Sequence, residues 1–311
     1  MSKLGRFRAT HYLSYNYRME VFVAVGFFIF GAIIGSFLNV VIFRFNTGVS
    51  LGGRSGCFSC GRKIKWFDLI PIWSFLNLGG RCRSCKSRLS LQYPTVEMMT
   101  GFLFLATFLK YFSFGFPLEL SIIYLPDYIQ AGFLFSIDLF VLCLLVVIAV
   151  YDLKHKIIPD SLVFLFCVLA FGRLLFSVEI SSLFYFPYLL DLLAGPILAL
   201  PIALLWFISG GRWIGLGDAK LAIGIGWFLG FSLGVSAMIV GFWIGAVVGV
   251  LLVCISKLAR VSSVRRLLLN AGAKHLTMKS EIPLAPFLIL GFMLVYFFNI
   301  DVLGLSALIT G

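Results

Sequence analysis

Residues 219–256 form one nearly unbroken apolar stretch, and shorter apolar runs recur along most of the remaining chain. A helix of about 20 apolar residues is the length that crosses the hydrocarbon core of a bilayer. Backbone polar groups in lipid must be satisfied within the segment, so such runs commit the chain to helices. With 61% hydrophobic and 12% charged residues, and a mean hydropathy of +1.05, the composition excludes an ordinary soluble domain. The first run, Val21–Phe43, exceeds the length of a signal-peptide core and no A-x-A-like site follows it, so an uncleaved span is expected.

The net charge of +12 reports topology, and no nucleic-acid partner is expected. Residues 44–95 hold nine basic residues and the single acid Asp68, which places this polar insertion in the cytoplasm by the positive-inside rule. Six more basic residues lie between Lys257 and Glu281, which requires the same side. An even number of crossings must then separate the inner loop at Ser209–Lys220 from Lys257, so 219–256 is expected to be a helical hairpin. Its first arm is short and rich in glycine (Gly224, Gly226, Gly230). The other spans are expected at 21–43, 96–116, 131–151, 158–177, 184–208 and 283–300. That gives about eight, with both ends outside. The basic N-terminal arm, residues 1–20 with Lys3, Arg6, Arg8 and Arg18, is the exception to the charge rule. Gly31, Gly35 and Ser36 in the first span are read as small residues for close helix packing.

The polar insertion contains Cys57-x-x-Cys60 and Cys82-x-x-Cys85, separated by 21 residues. Two tight turns presenting four thiolates suit a tetrahedral Zn²⁺, and a cytosolic location argues against disulfides. So small and glycine-rich a segment has little core, and the metal is expected to be its main fold determinant. Cys143, Cys167 and Cys254 lie singly in apolar runs and read as small hydrophobes.

Two acidic stretches stand at span boundaries, both on the cytoplasmic side in this topology. Asp152 ends the third span; Asp218 opens the hairpin within Gly215-Leu216-Gly217-Asp218-Ala219-Lys220. Burying an ionised carboxylate costs roughly 2.5–3.5 kcal/mol even on the mildest insertion scale, so such residues usually serve function. Two facing carboxylates share a proton, which supplies a general acid and a general base from one residue type. Such a pair hydrolyses a peptide bond without metal or serine. Gly215 and Gly217 leave room for a peptide to approach. Pro159 is expected in the first turn of the fourth span, with Asp160 stabilising that helix start and Lys220 supporting the site. Asp138, Asp191 and Arg173 are expected to form a structural ion-pair set.

These residues resemble the bacterial type IV prepilin peptidases, which cleave leaders and N-methylate pilins and pseudopilins. The resemblance rests on Gly35-Ser36-Phe37-Leu38-Asn39-Val40-Val41, the two CxxC pairs with Ile70-Pro71 between them, and Tyr93-Pro94-Thr95-Val96-Glu97. It continues through Asp152, Pro159-Asp160 and Gly215-x-Gly217-Asp218-Ala219-Lys220. It implies that Asp152 and Asp218 are the catalytic pair. The implied reaction cuts a basic leader after glycine, at the cytoplasmic face of the inner membrane. It also implies methylation of the new N-terminus by S-adenosylmethionine, for which no glycine-rich cofactor loop is found; the metal loop is the candidate region. The chain departs from the usual Pro-Phe-Gly-Pro with Pro283-Leu284-Ala285-Pro286, and from Arg-Leu-Pro with Arg44-Phe45-Asn46. Tyr151-Asp152 and the Gly-Leu-Gly-Asp stretch are also similar to presenilin-type proteases, which are not expected to carry a tetracysteine loop.

The expected fold is therefore an all-α polytopic membrane protein with a small tetracysteine zinc-binding loop domain after the first helix. Its expected parts are residues 1–43 (arm and first span), 44–95 (zinc and candidate methyltransferase region) and 96–311 (transmembrane aspartyl protease). The competing readings are a proton-coupled transporter using Asp138, Asp152, Asp191 and Asp218 as a relay, and a non-enzymatic assembly factor. No internal repeat supports the first, and the second leaves Gly-x-Gly-Asp unexplained.

Overall fold

The first apolar run lies within α1, Lys3–Arg44, which packs along α3, Gln92–Ser113. Small residues make that approach. A side chain at Gly35 would meet the Glu97 backbone at 2.8 Å, and one at Gly31 would meet Phe104 at 2.7 Å. Gly101 returns the fit against Phe28. Buried Asn39 locks the two helices through the Tyr93 carbonyl (3.2 Å) and the Gln92 amide (3.3 Å). The expected surface arm before Glu20 is instead helical and continuous with the span.

The structure, a computed structural model, describes residues 3–48, 50, 52–53, 55–113, 125–178, 182, 184–186, 188–258 and 283–310. The expected basic segment 257–281 and the outer loop 117–130 fall largely outside them. The described residues are helical with no strand, only isolated bridges, and they divide into two units, 1–147 and 148–311.

In the first unit, a short 3₁₀ turn at Trp66–Leu69 and the five-residue α2, Trp73–Asn77, follow α1. The long helix α4, Leu125–His155, crosses the division between the units. The second unit adds α5 (Asp160–Ser177), α6 (Tyr188–Ser209), α7 (Leu216–Leu258), α8 (Ala285–Phe298) and the short α9 (Leu305–Thr310). Pro159 sits one position earlier than expected, as the residue before α5, where its fixed φ of −70° leads into the helix.

The second unit is built around α7. Gly230 has φ +78° and ψ −179°, outside the helical region, and the chain reverses there. A side chain on Gly234 would lie 3.4 Å from the Gly226 Cα. Along one continuous helix those residues would stand about 12 Å apart, so 216–229 and 231–258 are the arms of a hairpin. Glycines let neighbours press against it. Gly224 receives the Phe166 ring of α5, Gly226 the Ala194 backbone of α6, and Gly241 the Leu288 backbone of α8. Phe166, Phe228, Phe292 and Tyr296 form the aromatic core between α5, α7 and α8.

Among the described residues, five helices are long and apolar enough to cross a membrane: 20–44, 129–155, 160–177, 188–209 and 216–255, the last being the folded-back α7. The fuller count of eight remains an expectation. Large apolar side chains such as Phe22, Phe164, Phe207 and Trp243 point outward, as lipid-facing residues do. The chain is a multi-pass membrane protein.

Candidate active site

The last turn of α4 and the first turn of α7 bring Asp152 and Asp218 together. Both are buried, at 4% and 7% exposure, and Asp152 is close enough to act on Asp218 through its charge. The Asp152 carboxylate lies beside the backbone of Ala285, and the Asp218 carboxylate beside the backbone of Gly215. The second oxygen of Asp218, Oδ1, is buried with no hydrogen-bond partner among the described residues. A buried acceptor normally has a partner. Oδ1 therefore retains the capacity for one more hydrogen bond, beside a second carboxylate.

The surrounding residues explain the spacing in the sequence. A side chain on Gly217 would strike Ile158 at 2.9 Å, and one on Gly215 would stand 3.5 Å from Asp218 Oδ2. Lys220 reaches Asp160 at 2.8 Å and ties α7 to the start of α5. Both partners are substantially exposed, so this pair is worth little in stability.

Sequence reasoning missed the approach of the Ala285 backbone to Asp152. Ala285 lies at the start of α8, where backbone donors lack helical partners and can serve a side chain. Ala285 is not among the positive-φ residues, so the backbone at this position does not require glycine.

The three residues expected to form an ion-pair set each make a contact of another kind. Asp138 accepts the Tyr111 hydroxyl at 2.8 Å within the first unit. Asp191 accepts the Phe231 N–H at 2.8 Å, and Arg173 donates to the Phe228 carbonyl at 3.3 Å.

In the first unit the four cysteine sulfurs of Cys57, Cys60, Cys82 and Cys85 lie within 4.8 Å of one another. They come from two matching turns. The Cys57 N–H donates to the Arg62 carbonyl and the Gly61 N–H to the Cys57 carbonyl; Cys82, Ser87 and Lys86 repeat the pattern. Gly61 (φ +67°) and Lys86 (φ +57°) take the left-handed position at the same point of each turn. Backbone N–H groups of Cys60 and Ser59 aim at Cys57 and lower its thiol to about 6, while Ser87 lowers Cys85. A tetrahedral set with metal–sulfur bonds of about 2.3 Å suits this cluster.

Beside the cysteines lies a cavity of about 480 Å³, lined by Phe43, Phe58, Phe75, Tyr93, Glu97 and the basic residues Arg44, Arg62, Lys63 and Lys65. Phe43 stacks on Tyr93 and packs on Phe58. Arg83 clamps Asp68 with both Nε and Nη2, the shortest bond being 2.7 Å.

Residues 29–111 match the family model of the bacterial peptidase A24 N-terminal domain, and 139–250 match the type IV leader peptidase family. The chain is 31% identical, over 89% of its length and 95% of the relative, to the prepilin leader peptidase/N-methyltransferase of Bacillus subtilis. It is 31% identical to the protein of the same description from Myxococcus xanthus, over 74% of the chain and 63% of the relative. It is 30% identical to one from Klebsiella pneumoniae, over 66% and 84%. No solved structure matches. The architecture is that of a membrane enzyme of a peptidase class, with a tetracysteine loop following its first span. The chain belongs to the prepilin leader peptidase/N-methyltransferase family.

Proposed function

We propose that this chain is an aspartic endopeptidase that removes the basic leader of type IV prepilins or pseudopilins after glycine. Cleavage takes place at the cytoplasmic face of the bacterial inner membrane, and the new N-terminus is then methylated. The observation carrying the peptidase reading is the meeting of buried Asp152 and Asp218 from separate helices, with Asp218 Oδ1 left to receive a reactant.

One ionised carboxylate takes a proton from water as the oxygen attacks the scissile carbonyl carbon. The protonated partner gives its proton to the developing oxyanion. The proton taken from water then passes to the amine as the C–N bond breaks, and a hydroxyl of the gem-diol returns its proton to the partner carboxylate, which leaves a carboxylic acid and restores the dyad. The proton shared by the two carboxylates belongs to the pair.

The four cysteines would hold Zn²⁺ as a structural ion that fixes the loop. S-adenosylmethionine would supply the methyl group. The cavity next to the cysteines fits such a donor: aromatic faces at Phe43, Phe58 and Tyr93 suit an adenine and a sulfonium, and Glu97 and the basic rim suit the amino-acid end.

Cleavage of a purified prepilin-type substrate in liposomes tests the reading. Asp152→Asn and Asp218→Asn should each lose at least about 100-fold in rate while remaining folded. Asp160→Asn should keep most activity. Normal cleavage by either dyad variant would refute the assignment.

A further inference from the structure

Arg173 of α5 and Asp191 of α6 converge on the turn of the α7 hairpin, which a single residue, Gly230, makes. Arg173 Nη1 donates to the Phe228 carbonyl at 3.3 Å, and its guanidinium lies 4.4 Å from the Phe228 ring centre. Phe228 belongs to the last turn of the first arm, where carbonyls run out of helical partners and the helix dipole is negative. Asp191 Oδ1 accepts the N–H of Phe231, the first residue of the second arm, at 2.8 Å. There the N–H groups lack partners and the dipole is positive. A cation meets the ending helix and an anion the starting one, each supplied by a different neighbouring helix.

The turn has no slack. Gly230 occupies the left-handed region, and a side chain there would lie 2.6 Å from Asp191 Oδ1. Trp227, in the turn of helix before it, donates to the Leu192 carbonyl at 2.9 Å and packs on Phe171. These contacts fix where the first arm ends.

We propose that Arg173 and Asp191 are positioning residues for cleavage: by clamping the two helix ends at Gly230 they fix the depth and rotation of the arm that carries Asp218. This inference rests on the reading of Asp218 as catalytic. Asp218 and Gly230 are joined by about 18 Å of helix, and a helix is stiff on that scale. A turn that slips by one residue carries Asp218 about 1.5 Å along and 100° around the axis. Misplacement of about 1 Å at a reacting group can cost on the order of 100-fold in rate.

The test compares Asp191→Ala, Asp191→Asn, Arg173→Ala and Asp218→Asn with wild type in liposomes. It reads kcat and KM for prepilin cleavage and methylation of a leaderless pilin peptide. Asp191→Ala and Arg173→Ala should lower kcat by at least about tenfold, change KM by less than about twofold, and leave methylation intact. Asp191→Asn keeps an oxygen for the Phe231 N–H and should recover most of the rate. If both alanine variants keep wild-type kcat per folded enzyme while Asp218→Asn is inert, the clamp is wrong and the dyad stands. If both activities fall together, the role is merely structural and the proposal fails. An active Asp218→Asn protein would sink both readings.

Discussion

Glu97 Oε2 accepts the backbone N–H of Ile72 at 2.7 Å, holding a β-branched residue at φ +63° and ψ −54°. The next N–H, of Trp73, turns back to the Pro71 carbonyl, which makes a γ-turn of the rare positive-φ kind. A β-branched residue at positive φ is strained by about 1–3 kcal/mol and persists only where its surroundings enforce it. Glu97 is 6% exposed and lines the cavity beside the cysteines.

Glu97→Ala should therefore destabilise the first unit by about 1.5–3 kcal/mol, the cost of losing a charge-assisted hydrogen bond and releasing the turn. Glu97→Gln should lose less, because its amide oxygen can still accept. Thermal unfolding in detergent with intrinsic fluorescence checks the order Ala, Gln, wild type. Equal melting temperatures would show that the γ-turn stands without Glu97.

The tetracysteine loop should bind one Zn²⁺ per chain, measured by colorimetric release after thiol modification. Cys57→Ser and Cys82→Ser each break one of two equivalent turns and should abolish stoichiometric metal. Thiolates are the ligands, so protons compete with the metal and affinity should fall as pH is lowered. Full retention at pH 4 would argue against a four-thiolate site.

Glycine substitutions should separate packing from backbone effects in the second unit. A side chain at Gly226 would meet the Ala194 carbonyl carbon and oxygen at 2.7 Å, and backbone cannot yield cheaply. Gly226→Ala should cost about 1–3 kcal/mol. Gly172 on α5 has nothing within 4 Å of the same position, so Gly172→Ala should be neutral or stabilise by up to about 1 kcal/mol. Melting temperatures of the two variants give the comparison.

Asp301 joins the end of the described chain to α7. It accepts Ser232 and Ser236 hydroxyls and the N–H groups of Leu305 and Ser306. Bonds from Ser306, first from its side chain, hold the Asp301 carboxyl well below its ordinary value. A depressed carboxyl stabilises the fold above its unfolded pKa and loses that contribution as pH falls towards the folded value. Amide protection at Leu305 and Ser306 should thus persist at pH 5 and fade only in strong acid. Asp301→Ala should remove it at every pH, as hydrogen exchange would report.

Much of this arrangement was legible in the residues because lipid enforces simple rules. The reversal in α7 followed from charge parity, since basic residues on both flanks demand an even number of crossings. The twin cysteine turns followed from spacing alone, and Gly31 and Gly35 from the need for close backbones. The contacts of Arg173 and Asp191 with helix ends were not legible, because a rule that intramembrane charges pair with each other says nothing of helix ends, which are partners too. The approach of the Ala285 backbone and the Ile72 turn left no signal, because every residue has a backbone and isoleucine does not advertise positive φ.

The first arm of α7, residues 216–229, rises about 21 Å, against the roughly 30 Å of hydrocarbon in a typical bilayer. A membrane surrounding this protein must then thin by several ångströms beside that arm, or else close over Gly230 and leave Arg173 and Asp191 beneath the head groups. In the first case the lipid itself becomes part of the device, with hydrophobic thickness setting how easily the catalytic arm is accommodated.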